Sequence, residues 1–444
     1  MRKINVLHVI AGLGIGGMQK ALQLYTEYLD KEIFKVMVCG LFKGGERGEL
    51  LAQKGFEVYV LNGRKAELLN LMRSKKIDIV HLHPHADFNP QPVEAAIDAQ
   101  VPVKVASNIY AEIPDNFFTR HIDLHLMISK WCALRCKIWS KLPWPDFLKK
   151  ATVLYNPVDL AEIDDRPVND YSNKELREIY QIPEDYFIIG RHGRPQPDKW
   201  GDLGIEMLPH LLKIIPKVKY LVMGFPPAKM GKIRQLGLED YFIFLEPTVD
   251  QEKINELLYL VDVFPTCTVH GESFGNVIAE AMAWRKPVVS NSLPHRYNSQ
   301  VELIDHGKTG LIANTPKDFG EAMAYLLTHH KIRQAMGEAG RKKVEENYEV
   351  KINTRSLEKI YLDLLIKKSV VIDKAVQKRY EEVPWHPSAQ EIMGFEEEYQ
   401  ERIRTCWGRH NYGAIYFWEK ILSNYRYYNA LRLLKNKISD CKLQ

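Results

Sequence analysis

The chain has 444 residues, and single hydrophobic cores stop growing near roughly 250–300 residues, so two domains are expected. Hydrophobic residues make up 45% and charged residues 26%, a globular balance that excludes collagen-like, disordered and disulfide-scaffold classes. With 61 basic against 56 acidic residues the formal charge is +5, too mild to imply nucleic acid, and no apolar run reaches the roughly 18–20 residues of a membrane span.

The start has a basic tip and an apolar stretch, but Asn5 and His8 interrupt it and no small-residue cleavage site follows; it reads as a first strand, not a secretion signal. Short β-branched runs beginning at Ile4, Phe34, Phe56, Ile77, Val101, Leu124 and Ala151 alternate with amphipathic stretches, the order of a parallel sheet covered by helices on both faces. Residues 156–186 are polar, carry three prolines and lack a strand, which predicts a linker with one short helix. A second series of strands follows from Phe187, Lys219, Tyr241, Val261, Lys286 and Gly310, then two long helices over 331–367. The remaining tail reads as largely helical, with turns near 384–387 and 408–413. Two doubly wound domains in tandem leave a cleft, and ligands in such sheets sit beyond the carboxyl ends of the strands.

The six cysteines, Cys39, Cys132, Cys136, Cys267, Cys406 and Cys441, are scattered in mostly apolar sequence, which points to free thiols in a reducing cytoplasm. Cys132 and Cys136 are read as packing residues, because no second pair completes a metal site.

Three clusters carry chemistry. Gly12, Gly14 and Gly17 match a dinucleotide fingerprint between a strand and a helix, but the second strand ends at Lys43 without the acid that grips a ribose, so a phosphate- or sugar-facing loop is favoured over NAD. Gly271, Glu272, Gly275, Asn276 and Glu280 place one carboxylate in a glycine-bearing turn and one in the following helix. Two carboxylates reaching one cleft suit the fixing of hydroxyls, and backbone amides near Phe274, Gly275 and Asn276 suit hydroxyls or phosphates. Gly193, Arg194 and Lys199 follow the first strand of the second series, where two cations would clamp a diphosphate. Singly, each cluster also fits an exposed or structural role.

Together with Gly16–Gly17–Met18–Gln19, Val80–His81–Leu82–His83, Tyr155–Asn156–Pro157–Val158–Asp159 and His306–Gly307 followed by Gly310–Leu311, these motifs occur in an order that resembles the retaining GT-B glycosyltransferases of GT4 type, over roughly residues 4–365. The resemblance implies an α/β GT-B fold of two Rossmann-like domains facing across a cleft: 1–168 on the acceptor side, 169–350 binding a nucleotide-sugar donor, 351–367 as a crossover helix back to the first domain, and 368–444 as a helical extension. It implies that Arg194 and Lys199 neutralise the leaving diphosphate, Glu280 binds the ribose and Glu272 the transferred sugar. Gly193, Phe274, Gly275 and Asn276 would complete the donor grip, with Gly16 and Gly17 closing over the phosphates. No Asp-x-Asp occurs, so no metal or other cofactor is expected and activity is expected in EDTA. Three departures bear on sugar, base and acceptor: Ser107–Tyr110 replaces a histidine after the fifth strand, Glu246–Pro247 replaces a glycine near the base, and residues 291–304 lack a Gly-Gly turn. His81 is expected to pack, with His83 or His85 nearer the acceptor.

The expected reaction moves a hexose-type sugar to a glycan or lipid-linked acceptor in cell-surface polysaccharide or glycoconjugate synthesis. The alternatives are a GT-B isomerase or phosphorylase, and a non-catalytic binding or assembly subunit. From Arg402 onward nine basic and two acidic residues interleave with aromatics. This tail and residues 137–150 are read as a membrane surface, or as packing on the body or in a homo-oligomer.

Overall fold

The computed structural model describes residues 2–84, 88–164, 172–294 and 296–406. The apolar runs of the first half become seven strands: β1 (Ile4–Gly12), β2 (Phe34–Lys43), β3 (Glu57–Val60), β4 (Ile79–His83), β5 (Val103–Asn108), β6 (Leu124–Met127) and β7 (Ala151–Val153). All pair in parallel, in the order β3-β2-β1-β4-β5-β6-β7. β1 and β4 are buried along nearly their whole length on both faces because helices cover both, as parallel sheets require. The order reverses between β1 and β4, so the loops after these strands open the crevice where a doubly wound sheet binds ligand.

The second half supplies β8 (Phe187–His192), β9 (Val218–Met223), β10 (Phe242–Leu245), β11 (Phe264–Thr266), β12 (Val288–Ser290) and β13 (Gly310–Ile312). They form two three-stranded ladders, β10-β9-β8 and β11-β12-β13, joined by a bridge between Ile189 and Val263. The reversal here lies between β8 and β11, and Gly193 and Arg194 follow β8 at that point. The linker region holds two short helices, Ala161–Asp164 and Asn173–Ile179, where one was expected.

The long helices are His330–Asn347 and Val350–Lys367. The second returns to the first domain, where Leu357, Ile360, Tyr361 and Leu365 share a core with Val6, Ile79 and Val103. Among the described residues no helix is long and apolar enough to cross a membrane.

The two domains meet at a buried carboxylate. Glu302, on the helix Gln300–Leu303 of the second domain, accepts hydrogen bonds from the backbone N–H of Lys130 at 3.1 Å and of Trp131 at 2.9 Å, and from the Tyr155 hydroxyl at 3.0 Å. Lys130 and Trp131 open the helix Lys130–Ser140 of the first domain, whose first N–H groups have no intrahelical partner and favour negative charge. Beside it, the Ser129 hydroxyl donates to the Ser273 carbonyl at 2.7 Å.

A last helix, Ala389–Arg404, lies over this seam, burying Ile392, Phe395, Tyr399 and Ile403 at helical spacing. Asn298 donates to the Tyr399 hydroxyl at 3.0 Å, and Arg402 bonds Asp305 and the Val301 carbonyl of the second domain. On the first-domain side Lys130 pairs with Glu398 at 3.5 Å and Lys137 with Glu396 at 3.2 Å. Residues 389–404 of the extension therefore pack on the body. Trp144 of the 137–150 segment also serves this contact, its indole N–H donating to Glu396 at 3.0 Å, and Phe147 is buried. Residues 407–444, which carry most of the basic aromatic tail, lie outside the described residues.

Replacing Glu302 by Ala leaves two helix N–H groups and the Tyr155 hydroxyl without their acceptor inside the seam. Calorimetry is expected to give a loss of about 3 kcal/mol in unfolding free energy. Glu396→Ala, which removes a half-exposed pair, is expected to cost at most about 1 kcal/mol. Equal losses for the two variants would overturn the account of the seam.

Candidate active site

Chain order and topology bring the glycine loop after β1, the tip of β8 and the start of the helix Asn276–Ala283 to one cavity. It holds about 570 Å³ of empty space including its open mouth, and its lining includes Gly16, Gly17, Lys20, Arg47, His192, Gly193, Arg194, Asn276 and Glu280. Met223, Pro247, Thr248, Ile254 and Val277 supply an apolar wall. Six of the ten residues selected from sequence (Gly16, Gly17, Gly193, Arg194, Asn276 and Glu280) thus face one space shared by both domains.

Asn276 closes the seam at the mouth. Its side-chain amide donates to the Gly17 carbonyl at 3.1 Å and accepts from Asn156 at 2.9 Å. A Cβ on Gly17 would stand 3.0 Å from that amide nitrogen, so the first helix, Gly17–Tyr28, approaches this closely only because the residue is glycine. Gly275 precedes Asn276 at φ 106°, a left-handed conformation that costs glycine least. It turns the chain so that the first amides of the helix Asn276–Ala283 come to the cavity end, where a helix N-terminus favours an anion.

Glu280 sits in a cage of positive charge. Its carboxylate lies 3.4 Å from Lys20 Nζ and 3.2 Å from His192 Nε2, with Arg47 on the same cavity wall. Burial opposes its ionisation, but Lys20, His192 and Arg47 outweigh that effect and hold the carboxyl at about 2. Lys20 also bonds Gln251, which opens the helix Gln251–Leu260 of the second domain. Lys20, Arg47 and His192 were not singled out from the sequence. Lys20 falls one turn into the first helix and His192 ends β8, and the only signal was their position beside motifs already chosen.

Lys199 and Glu272 do not line that cavity. They pair with each other, Lys199 Nζ standing 3.1 Å from a Glu272 carboxylate oxygen. Of the two cations expected from sequence to clamp a diphosphate, Arg194 therefore lines the cavity and Lys199 is bound to a carboxylate. Arg191 builds the loop that carries both: its guanidinium stacks 4.2 Å from the Trp200 ring centroid and donates to the carbonyls of Cys267 at 3.0 Å and Lys199 at 2.9 Å. Trp200 in turn donates to the Arg194 carbonyl at 3.0 Å. The Glu272 turn is held by Gln300, which accepts from the Glu272 N–H at 3.1 Å. The Phe274 side chain is buried against Tyr155 and Tyr348 and serves packing.

His81 is fully buried between the Tyr361 hydroxyl at 2.6 Å and the Ser107 hydroxyl at 2.8 Å, as a packed residue. His83 is also buried, and His85 lies outside the described residues. Cys39, Cys132, Cys136 and Cys267 are free and buried, and Cys406 is free and half-buried.

Two Rossmann-like domains facing across a shared cavity define a GT-B fold. A solved structure of Anabaena Alr3699/HepE in complex with UDP and glucose superposes with TM-score 0.66 at 18% identity, covering 81% of this chain and 100% of that one. The sequence narrows the likeness further: residues 172–343 match the family model Glycosyl transferases group 1. The capsular polysaccharide biosynthesis glycosyltransferase CapM of Staphylococcus aureus is 30% identical over 199 residues, 43% of this chain and 50% of that protein. Trehalose synthase of Thermococcus litoralis is 33% identical over 199 residues, 42% of this chain and 46% of that protein. The chain thus spans about half the length of these curated relatives.

The cage around Glu280 has a pH signature. Its folded pKa of about 2 lies below the ordinary 4.5, so its ionised form contributes stability in full above about 4.5, and the contribution is lost as pH falls toward 2. Urea unfolding of the protein and of Glu280→Gln is expected to give a stability difference that shrinks as pH falls through 4.5 toward 2. A difference that stays constant across that acid range would remove the cage from the argument.

Proposed function

We propose that the protein is a retaining glycosyltransferase that moves a sugar from a nucleoside-diphosphate donor to a glycan or lipid-linked acceptor in the synthesis of cell-surface polysaccharide or glycoconjugate. The observation that carries this reading is the shared cavity with Glu280 among its lining residues and Arg194 beside the amino end of the helix Asn276–Ala283. A nucleoside diphosphate matches that polarity. Its ribose diol donates to the Glu280 carboxylate, its base lies on the wall of Met223, Pro247 and Ile254, and its phosphates meet Arg194 and the helix amides.

The transition state gains positive charge on the sugar and negative charge on the diphosphate, so the cations matter most as the bond breaks. Arg194 meets the diphosphate directly. Lys199 follows when the hydroxyls of the transferred sugar engage Glu272 and loosen the pair at 3.1 Å. The acceptor oxygen attacks from the face that the diphosphate leaves, and a phosphate oxygen takes its proton. Protein cations carry the leaving-group charge in this scheme, so added Mg²⁺ or Mn²⁺ is not required for transfer.

The test is a thermal-shift panel in EDTA with UDP, GDP, ADP, CMP and NAD. A ligand at about 100 times its dissociation constant stabilises by about 2.7 kcal/mol, so one nucleoside diphosphate is expected to raise the melting temperature, and Arg194→Ala to abolish the rise. The matching nucleotide sugar should then release that diphosphate without added divalent metal once an acceptor extract is supplied. Stabilisation by NAD instead, or an Arg194→Ala variant that keeps the full shift, would overturn the reading.

A further inference from the structure

Three imidazoles meet in the interior of the first domain, apart from the donor cavity. Parallel pairing of β1 and β4 sets His8 opposite His81 and Ile10 opposite His83. The two-residue spacing of His81 and His83 puts both on one face of the sheet. The rings are in contact, with centroids 4.9 Å apart for His8 and His81, 5.3 Å for His8 and His83, and 4.4 Å for His81 and His83. All three are buried, the most exposed at 4%.

Hydrogen bonding does not fully account for this cluster. Nδ1 of His8 faces Nε2 of His83 at 3.0 Å, which satisfies one nitrogen of each ring. The other two, His8 Nε2 and His83 Nδ1, are shut away from water with no partner. The layer thus holds three buried imidazoles crowded together, where aliphatic side chains would pack at no polar cost.

We propose that His8, His81 and His83 bind one divalent transition-metal ion of the zinc type. One ring nitrogen from each residue lies within 4.8 Å of the other two, and ligand nitrogens about 2.0–2.1 Å from a zinc ion stand roughly 3.3 Å apart in a tetrahedral site, so modest ring movements complete the set. His8 Nδ1 and His83 Nε2 already stand at such a separation. His81 has the outer partner that metal-bound imidazoles need: the Tyr361 hydroxyl at its Nδ1 takes that N–H and leaves Nε2, now beside the Ser107 hydroxyl, to face the ion. The proton shared by His8 and His83 moves to an outer ring nitrogen, so no proton is released, and the ion replaces the His8–His83 hydrogen bond while His8 Nε2 and His83 Nδ1 carry the outer N–H groups. An all-imidazole set selects Zn²⁺, Co²⁺, Ni²⁺ or Cu²⁺ over Mg²⁺ and Ca²⁺, which take oxygen ligands. The ion ties β1 to β4 and, through Tyr361, to the crossover helix. Its role is structural, distinct from the leaving-group chemistry at Arg194.

The test uses the full chain without a polyhistidine tag, stripped with a strong chelator and titrated with Co²⁺ and then Zn²⁺. One equivalent of Co²⁺ is expected to develop the visible absorption of a low-coordinate nitrogen site, one equivalent of Zn²⁺ to displace it, and either ion to raise the melting temperature where Mg²⁺ does not. His83→Ala should weaken binding by at least 100-fold. Tyr361→Phe, which keeps the ring packing, should weaken it about 10-fold, with far-UV circular dichroism unchanged as the control for folding. Absence of Co²⁺ absorption and of Zn²⁺ uptake at micromolar concentration by the wild-type chain would overturn the proposal, as would equal metal affinity in a folded His83→Ala protein.

Discussion

The whole arrangement depends on one buried carboxylate. Glu302 belongs to the second domain, yet its hydrogen-bond donors are two amides at the start of a first-domain helix and a tyrosine from the end of the first domain. A buried carboxylate without donors would be strongly destabilising, and a helix N-terminus without an acceptor would lose its first hydrogen bonds. Each domain therefore completes a group that the other leaves unsatisfied. That mutual dependence fixes how the domains face each other, because two of the three donors are backbone groups with no rotamer freedom. The Ser129 hydroxyl on the Ser273 carbonyl and the Asn156–Asn276–Gly17 chain continue the same seam up to the cavity mouth.

The cavity inherits its electrostatics from that seam. Glu280 and His192 come from the second domain and Lys20 and Arg47 from the first, so the cage forms only when the domains are docked. In the proposed donor site, ribose hydroxyls that donate to Glu280 compete with Lys20 at 3.4 Å and His192 at 3.2 Å, and Lys20 stands on the wall of the same cavity as Arg194. On that reading the nucleoside end is coupled to the positive field available for the phosphate end.

The alternation of β-branched runs and amphipathic stretches made the fold legible in the sequence, because parallel strands covered on both faces need unbroken apolar runs and the helices between them need a period of 3.6. Gly16, Gly17, Arg194 and Glu280 were legible because local punctuation, glycines and charges at strand tips, marks where a backbone turns toward a ligand. Lys20 and His192 were not, since what brings them into the cavity is proximity to a carboxylate 260 and 88 residues further along the chain. The pairing of Lys199 with Glu272 was hidden for the same reason. Each read singly as a donor contact, and only the folded loop held by Arg191 and Trp200 shows them neutralising each other. The histidines of β1 and β4 followed the same logic: His81 read as packing from its own strand, and His8 entered the cluster only through the register of β1 against β4.

The helix Ala389–Arg404 gives the extension a physical role in this scheme. Its apolar face covers the outer side of the seam that Glu302 holds from within, and its charged residues reach both domains: Glu396 and Glu398 toward Lys137 and Lys130, Arg402 toward Asp305. A hinge between two domains opens most easily where few contacts cross it. Here the crossover helix ties the far end and this helix ties the outer side. At the cavity itself Asn276 reaches the Gly17 carbonyl and Lys20 reaches Gln251 and Glu280. The domains are thus tied at the far end, on the outer side and across the cavity, which holds the groups around Glu280 in one arrangement.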